Sequence, residues 1–150
     1  MSQGVANEQE WTPLLQQDRR IRPAVKGLIT NTDSVLLQQE RHTDGEMFWT
    51  LPGGGIASQE TATRALAREL NEELQTASVV GKELGWVPYA HSGWSQTISV
   101  YRVFTCALLE EPQENAGERV YASKSVNPRE PPTRTLPQVQ WVLQQYATQQ

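Results

Sequence analysis

The chain has 150 residues, a length typical of one domain, and 37% of them are hydrophobic, which is enough for a single buried core. Its formal net charge of -4 argues against a nucleic-acid partner, because surfaces that bind phosphate backbones need an excess of cations. The single cysteine, Cys106, excludes an intramolecular disulfide and a zinc site built from cysteines.

Membrane insertion is also not expected. No apolar run approaches the ~18 residues that a spanning helix needs. Residues 1–10 are polar and lack the apolar stretch of a signal peptide. We therefore predict a cytoplasmic protein with no membrane partner. A phosphate-bearing ligand remains compatible with the acidic charge if a divalent cation mediates the contact.

The first predicted element is a β-hairpin. Apolar runs at 24–29 and 35–37 flank turn-forming residues at 31–34. The Gln- and Glu-rich residues 1–20 are interpreted as a partly flexible start of one domain that spans 1–150. A short strand at 47–51 then leads into a proline and three glycines.

The clearest helix is predicted over 58–74, which contains neither Gly nor Pro. An apolar residue recurs every fourth position along it, from Ala62 to Leu74, so one face is expected to pack on a sheet. Ser58 is the expected N-cap of this helix.

The second half predicts strands, a loop and a last helix. Strands are expected at 79–80, 84–87 and 96–109, and the polar stretch 110–132 is interpreted as a long loop or an irregular edge. A final helix is expected from Pro137 to about Tyr146. This order predicts an α/β fold, with a mixed β-sheet flanked by helices.

An unusual cluster of carboxylates lies near the end of the 58–74 helix. At 100° per residue, Glu69 and Glu73 lie about 40° apart, and Glu72 lies about 60° to the other side of Glu69. Like charges at this spacing destabilise a helix. Mg²⁺ would reverse that effect, since it prefers oxygen ligands and often shares its coordination shell with substrate phosphates.

Neighbouring residues suit the same site. The glycines at 53–55 allow backbone conformations in which a carbonyl turns toward a metal. Arg68 sits among the acids and could steer a carboxylate, or brace Glu60 from two helical turns away. Carboxylates, a metal and a bound water together favour hydrolysis of a phosphoryl or pyrophosphate group.

The stretch from Trp49 to Ile56, followed by Glu60 and the run from Arg68 to Glu73, resembles the Nudix box, the signature of the Nudix hydrolases. The resemblance implies an α/β/α sandwich and hydrolysis of a nucleoside diphosphate linked to another moiety. It implies Mg²⁺ as the cofactor, with Mn²⁺ as a substitute. The metal ligands that it implies are Glu69, Glu72, Glu73 and the Gly54 carbonyl. Glu69 would also be a possible general base, with Arg68 and Glu60 orienting the others.

The sequence departs from the family pattern at three positions. Gln75 stands where the family usually has glycine just after the helix, so the helix is expected to run on or to end differently. Ala57 and Gln59 also stand where the family often has Glu and Gly. All the carboxylates of the box remain.

Candidate substrate-binding residues lie outside the box. Trp86, Tyr89 and Trp94 are either packing residues or a wall on which a nucleobase stacks. Glu114 and Glu118, in the late loop, are either solvated or an additional ligand or base.

A small nucleotide is the expected substrate. The preferred interpretation is pyrophosphohydrolysis of a (deoxy)nucleoside triphosphate, with ADP-ribose or a nucleotide sugar as the alternative. A catalytically weak nucleotide sensor or interaction module is the alternative from another class. The base, the leaving group and the general base stay open, as does a homodimer with Trp11 and the late proline-rich loop as contacts.

Overall fold

The long first strand, β1, organises the fold. The computed structural model describes residues 20–90 and 97–149. The elements in chain order are β1 (Arg20–Asn31), β2 (Ser34–Arg41), β3 (Met47–Thr50), β4 (Gly53–Gly55), α1 (Ala62–Leu74), β5 (Ser78–Ala90), β6 (Thr97–Leu108), a 3₁₀ turn (Ala116–Glu118), β7 (Ala122–Val126) and α2 (Pro137–Thr148).

The strands form one mixed sheet in the order β3-β2-β1-β6-β5, with β4 added beside β1 and β7 beside β2. β1 pairs in parallel with β6 and antiparallel with β2 and β4. The predicted hairpin is confirmed, since Asn31 faces Ser34 across its turn.

Side chains that alternate along β1 face two separate cores. Ala24 and Leu28 lie in the core that α2 covers. Val25 and Ile29 lie in the core that α1 covers, together with Leu66, Leu70 and Leu74. The predicted α/β sandwich, with helices on both sides of a mixed sheet, is therefore confirmed.

Helix α1 begins later than the sequence predicted. Its N-cap is Thr61, not Ser58, and the Thr61 side chain accepts a hydrogen bond from the Arg64 backbone N–H. Thr61 carries the same kind of capping oxygen as Ser58, so a residue-type preference alone could not separate them.

Two strand predictions also need correction. The separate strands at 79–80 and 84–87 are parts of one strand, β5, whose register with β6 shifts between Val80 and Gly85. The segment 110–132 is not only a loop, because it contains β7, which pairs with β2. Most of β7 is polar and partly exposed, and only Val126 is buried, so its sequence lacked the apolar alternation of a strand.

Neither described helix is long and apolar enough to cross a membrane. The predictions about residues 1–19, including Trp11, and about Trp94 lie outside the described residues.

Candidate active site at the C-terminal half of helix α1

The loop before α1 brings a glycine against a carboxylate. β4 pairs with β1 so that Gly54 lies opposite Val25. A Cβ atom built on Gly54 would stand 2.6 Å from both the Cδ and the Oε1 of Glu69. No side chain larger than hydrogen fits between them, so the Gly54 backbone and the Glu69 carboxylate are in direct contact.

Gly53 is constrained for a different reason. Its φ of +143° is one that other residues rarely adopt, and an added Cβ would stand 2.1 Å from the Val25 carbonyl oxygen. The Gly53 backbone N–H donates a hydrogen bond of 2.9 Å to Glu73 Oε1. This hydrogen bond connects the first residue of β4 to the buried face of α1.

Arg68 connects the loop to three carboxylates. Its Nε and Nη2 bind the two carboxylate oxygens of Glu60 at 2.8 and 2.9 Å, in a bidentate pair. Nη2 also donates to the Gly55 carbonyl at 3.1 Å. Nη1 lies 3.2 Å from Glu69 Oε1 and 3.4 Å from Glu72. The predicted bracing of Glu60 by Arg68 is thus present as a contact.

Glu60 completes this arrangement from the loop. Its Oε1 accepts a hydrogen bond of 2.9 Å from the Ala57 backbone N–H. The bond to Arg68, with that from Ala57, lowers the pKa of Glu60 to about 2. Glu60 is therefore ionised at neutral pH and holds the guanidinium in place.

The three carboxylates of α1 have different environments. Glu72 is the most exposed, with 39% of its side chain accessible, against 15% for Glu69. Burial raises the pKa of Glu69, and the Arg68 guanidinium partly opposes that effect. Glu73 is buried, and burial, with the neighbouring Glu40 carboxylate second, raises its pKa to about 8.

The donor atoms are those that a hard divalent cation prefers. Glu69 and Glu72 offer carboxylate oxygens, and the absence of a side chain on Gly54 leaves its backbone beside Glu69. Within residues 20–90 and 97–149, no three acidic, His or Cys side chains converge in a metal-binding geometry. In this arrangement Nη1 of Arg68 supplies the positive charge between Glu69 and Glu72. The assignment of metal ligands stays a prediction.

Gln75 ends the helix in the conformation that glycine usually supplies. Its φ of 58° and ψ of 38° are left-handed, and its backbone N–H bonds Asn71 O at 3.0 Å. Gln59 likewise has a φ of 64°. The helix does not run on past the box. Gln75 and Gln59 both adopt the left-handed backbone conformation that glycine would have at these positions of the family pattern.

The late loop is bound to the end of α1. Asn115 Nδ2 donates to the Glu72 carbonyl at 2.7 Å, and Gln75 Nε2 donates to the Glu114 carbonyl at 2.7 Å. The first of these bonds satisfies a carbonyl that the last turn of a helix leaves free. Glu114 and Glu118 are both exposed residues of this loop, and their predicted role as a ligand or base stays a prediction.

A cavity of about 260 Å³ adjoins the glycine loop, the name used for residues 53–55, which form the short strand β4. Gly53 and Gly54 form part of its lining, and Phe48, Tyr89 and Tyr101 line other parts. Its position makes it the natural place for a ligand that also reaches α1.

Two cations that the sequence analysis missed also line this cavity. Arg22 and Lys26 lie four residues apart on β1. Arg22 Nη1 donates to Ser99 Oγ at 3.1 Å. Lys26 Nζ donates to the Leu51 carbonyl at 2.9 Å and lies 4.9 Å from the centre of the Tyr101 ring. A lysine within the apolar run 24–29 was the available signal, because a charge at such a position needs a reason.

The aromatic residues that were predicted to form one stacking surface for a base lie in two different places. Tyr89 lines the same cavity as Gly54. Trp86 lines a different, mostly apolar groove with Ile21, Pro23 and Arg102. The structure therefore does not bring Trp86 and Tyr89 together on one surface.

Comparison with known protein families identifies the class of hydrolase to which this fold and this site belong. The family model described as "NUDIX domain" matches residues 20–145 of the chain. The chain therefore belongs to the Nudix hydrolase family, as its resemblance to the box implied.

Relatives with curated names match about half of the chain. An RNA pyrophosphohydrolase of Marinomonas sp. (strain MWYL1) is 39% identical over 72 residues, which cover 45% of this chain and 44% of that protein. An RNA pyrophosphohydrolase of Wolbachia sp. subsp. Brugia malayi (strain TRS) is 31% identical over 78 residues, 51% of this chain and 48% of that protein. The match spans less than half the length of each of these relatives.

Solved structures resemble nearly the whole domain. The MutT NUDIX hydrolase from Burkholderia pseudomallei superimposes with a TM-score of 0.74 at 23% identity, covering 84% of this chain and 98% of that chain. An ADP-ribose pyrophosphatase from Streptococcus suis 89-1591 gives a TM-score of 0.62 at 22% identity, with 86% and 92% covered. At these identities the likeness establishes the fold.

Proposed function

We propose that the chain is a divalent-metal-dependent pyrophosphohydrolase that acts on a (deoxy)nucleoside triphosphate. The observation that carries the proposal is the continuity of the cavity with the glycine loop. Gly54 touches Glu69 and also lines the cavity. A nucleotide in the cavity would therefore have its phosphates beside the carboxylates of α1.

The charges inside the cavity suit a polyphosphate. Arg22 and Lys26 would bind phosphate oxygens, because both are cations on the wall next to Gly54. Glu69, Glu72, Glu73 and the Gly54 carbonyl would hold a divalent cation, with Mg²⁺ as the expected ion. When bound, such an ion neutralises charge on phosphate oxygens and lowers the pKa of a bound water.

The protein's own groups would orient the reacting atoms. Glu69 is partly buried and in contact with Gly54, so its carboxylate is held at the junction of loop and cavity. In this scheme Glu69 accepts the proton of the attacking water, and Arg68 acts as a positioning residue through its bonds to Glu60 and Glu69. Tyr89 would contribute a stacking surface for the base.

Hydrolysis of the 5′-triphosphate end of an RNA is a second candidate, because the matching relatives are named RNA pyrophosphohydrolase. The net charge of -4 favours a free nucleotide, since an RNA chain needs cationic surface beyond the first nucleotide. ADP-ribose hydrolysis is a further alternative, and a Mg²⁺-dependent nucleotide sensor remains the alternative without turnover.

The test is the turnover of a panel of substrates with Mg²⁺. The panel contains nucleoside triphosphates, ADP-ribose and a 5′-triphosphorylated RNA. Glu72→Gln should lower kcat by about 10²-fold or more, the usual contribution of such a charged group. Glu130→Gln, which removes an exposed carboxylate remote from the box, should leave kcat unchanged. Equal rates for wild type and Glu72→Gln would reject the site, and binding without any product would favour the sensor.

A further inference from the structure

The part of the cavity formed by β2 and β3 carries polar groups that hydrolysis does not use. Glu40 and Thr50 line the cavity. Gln38 pairs with Thr50 across the two strands, and Glu40 pairs with Phe48, so these four side chains share one face. We call the three polar members of this face, Gln38, Glu40 and Thr50, the β2–β3 polar cluster.

Two members of the β2–β3 polar cluster are buried and incompletely bonded. Gln38 is 0% exposed and Thr50 is 1% exposed. Among the described residues, neither the Gln38 Oε1 nor the Thr50 Oγ1 has a hydrogen-bond partner. Buried polar groups in folded proteins nearly always have partners, and Thr50 lines the cavity, so its hydroxyl indicates a polar ligand at this end of the cavity.

The cluster offers mainly acceptors. Gln38 Nε2 donates to Glu40 Oε2 at 2.7 Å. That bond fixes the orientation of the Gln38 amide, because a flipped amide would place its oxygen 2.7 Å from the Glu40 carboxylate oxygen. The cluster atoms that line the cavity then belong to the Glu40 carboxylate, which accepts hydrogen bonds, and to the Thr50 hydroxyl, which can donate or accept.

Aromatic side chains flank the cluster. Phe48, which lies beside Glu40, is stacked on His42 with ring centres 4.0 Å apart. Tyr89 and Tyr101 line the cavity as well, with ring centres 6.5 Å apart. A volume of about 260 Å³ lies just below the range of cavities for drug-sized ligands, so it suits a single base.

We infer that Glu40, held by Gln38, determines base specificity by accepting hydrogen bonds from a base edge that carries adjacent N–H donors. Guanine presents such an edge at N1 and N2. Uracil and thymine present one N–H between two carbonyl oxygens, which the carboxylate repels. This inference rests on the proposed function, because it assumes that the cavity binds the base of the substrate.

The first test measures binding without metal or turnover. Titration calorimetry with GMP and UMP should give a preference for GMP of about tenfold to hundredfold, the discrimination of one good bidentate contact. In Glu40→Gln, an NH2 group replaces one of the two accepting oxygens, so the ratio should fall to about threefold or less, while Glu130→Gln should keep the wild-type ratio. A wild type that binds GMP and UMP equally, or a Glu40→Gln variant that keeps the preference, would overturn the inference.

A second variant examines the Thr50 hydroxyl. Thr50→Val keeps the shape of the side chain and removes an oxygen that has no partner among the described residues. Its melting temperature should not fall, whereas its affinity for GMP should fall several-fold. Loss of stability with unchanged affinity would mean that the hydroxyl serves the fold and not a ligand.

If the monophosphates bind too weakly for calorimetry, the ratio of the kcat/KM values for GTP and UTP measures the base preference instead. A Glu40→Gln variant that needs more Mg²⁺ for half-maximal rate, but keeps its base preference, would place Glu40 in the metal site and overturn the inference. No turnover, with GMP preference retained, would reject the proposed function alone. Absence of both binding and turnover would reject the inference as well.

Discussion

Gly54 and the Glu69 carboxylate are in contact, and the distance leaves no room for a methyl group: a Cβ at position 54 would stand 2.6 Å from Glu69 Oε1. Gly54 does not have a positive φ, so its backbone conformation alone would admit alanine. The requirement for glycine therefore comes from the carboxylate of α1, and it links the loop to the proposed chemistry.

Gly54→Ala should displace the Glu69 carboxylate and lower kcat. Overpacking of this kind costs about 1–3 kcal/mol, and a misplaced reacting group lowers the rate by about 10- to 100-fold. Steady-state kinetics and thermal unfolding would measure the two effects. Gly117→Ala is the matched control, because its added Cβ would come no closer than 3.4 Å to the Asn115 side chain. Unchanged kcat in Gly54→Ala would separate the loop from the reaction.

The Glu60–Arg68 pair should make stability depend on pH in the acid range. The pKa of Glu60 is about 2 in the folded protein, against 4.5 as the ordinary value. A lowered pKa contributes stability that is fully present above pH 4.5 and is lost as the pH falls toward 2. Wild type should therefore exceed Glu60→Gln in stability at pH 6, and the difference should disappear near pH 2.

Denaturant unfolding at a series of pH values would measure this difference. Glu130→Gln, which removes an exposed carboxylate elsewhere, should follow wild type throughout. A gap between wild type and Glu60→Gln that persists unchanged at pH 2 would contradict the assignment.

Gln75 combines an unfavourable conformation with a favourable bond. Gln75→Ala and Gln75→Gly both lose the hydrogen bond to the Glu114 carbonyl. Only glycine also removes the cost of a left-handed residue, so Gln75→Gly should be more stable than Gln75→Ala by about 1 kcal/mol. Chemical denaturation of the two variants gives the difference directly. Equal stabilities would mean that the left-handed geometry is not maintained in solution.

Cys106 should resist alkylation in the folded protein. Burial raises the pKa of its thiol from 9.0 to about 12. Because the thiolate is the reactive form, iodoacetamide at pH 8 should react on the order of 10³-fold more slowly than with the unfolded chain. The chain has one cysteine, so mass spectrometry would follow a single site. Similar rates with and without guanidinium would contradict burial of the thiol.

The same pKa shift predicts a loss of stability in alkali. The unfolded thiol ionises near pH 9.0 and the folded one near pH 12. An acidic group whose pKa is raised on folding does not lower the stability at pH values below its unfolded pKa. The loss of stability grows as the pH rises from the unfolded pKa toward the folded pKa. Cys106→Ala should lose less stability than wild type between pH 9 and pH 11. An identical decline in both proteins would assign it to other groups.

The sequence predicted elements that have strong local signals. The apolar stripe of Leu66, Leu70 and Leu74 is buried in one core, and the hairpin turns where its polar residues stand. The box also placed Arg68 with Glu60, but for the wrong reason: Glu60 lies in the loop before the N-cap Thr61, so the path of that loop, and not a shared helical face, brings it to Arg68. Each of these features depends on residues close together in the chain.

Features assembled from distant strands were not predicted. The cavity joins Lys26, Glu40 and Tyr89, which lie on three separate strands, and no local pattern brings them together. Trp86 and Tyr89 were grouped by proximity, yet they are an odd number of positions apart on one strand and so lie on opposite faces. Strand β7 was missed because its alternation is weak.

The parallel pairing of β1 with β6 has a consequence for synthesis. Arg22 bonds Ser99, a residue 77 positions later. Chains grow from the N-terminus, so a ribosome that has released β1 must add more than half of the protein before the strand finds its parallel neighbour. Cotranslational folding of the sheet can therefore be completed only after β6 has emerged. Protease protection of ribosome-stalled chains should therefore rise abruptly once β6 leaves the exit tunnel.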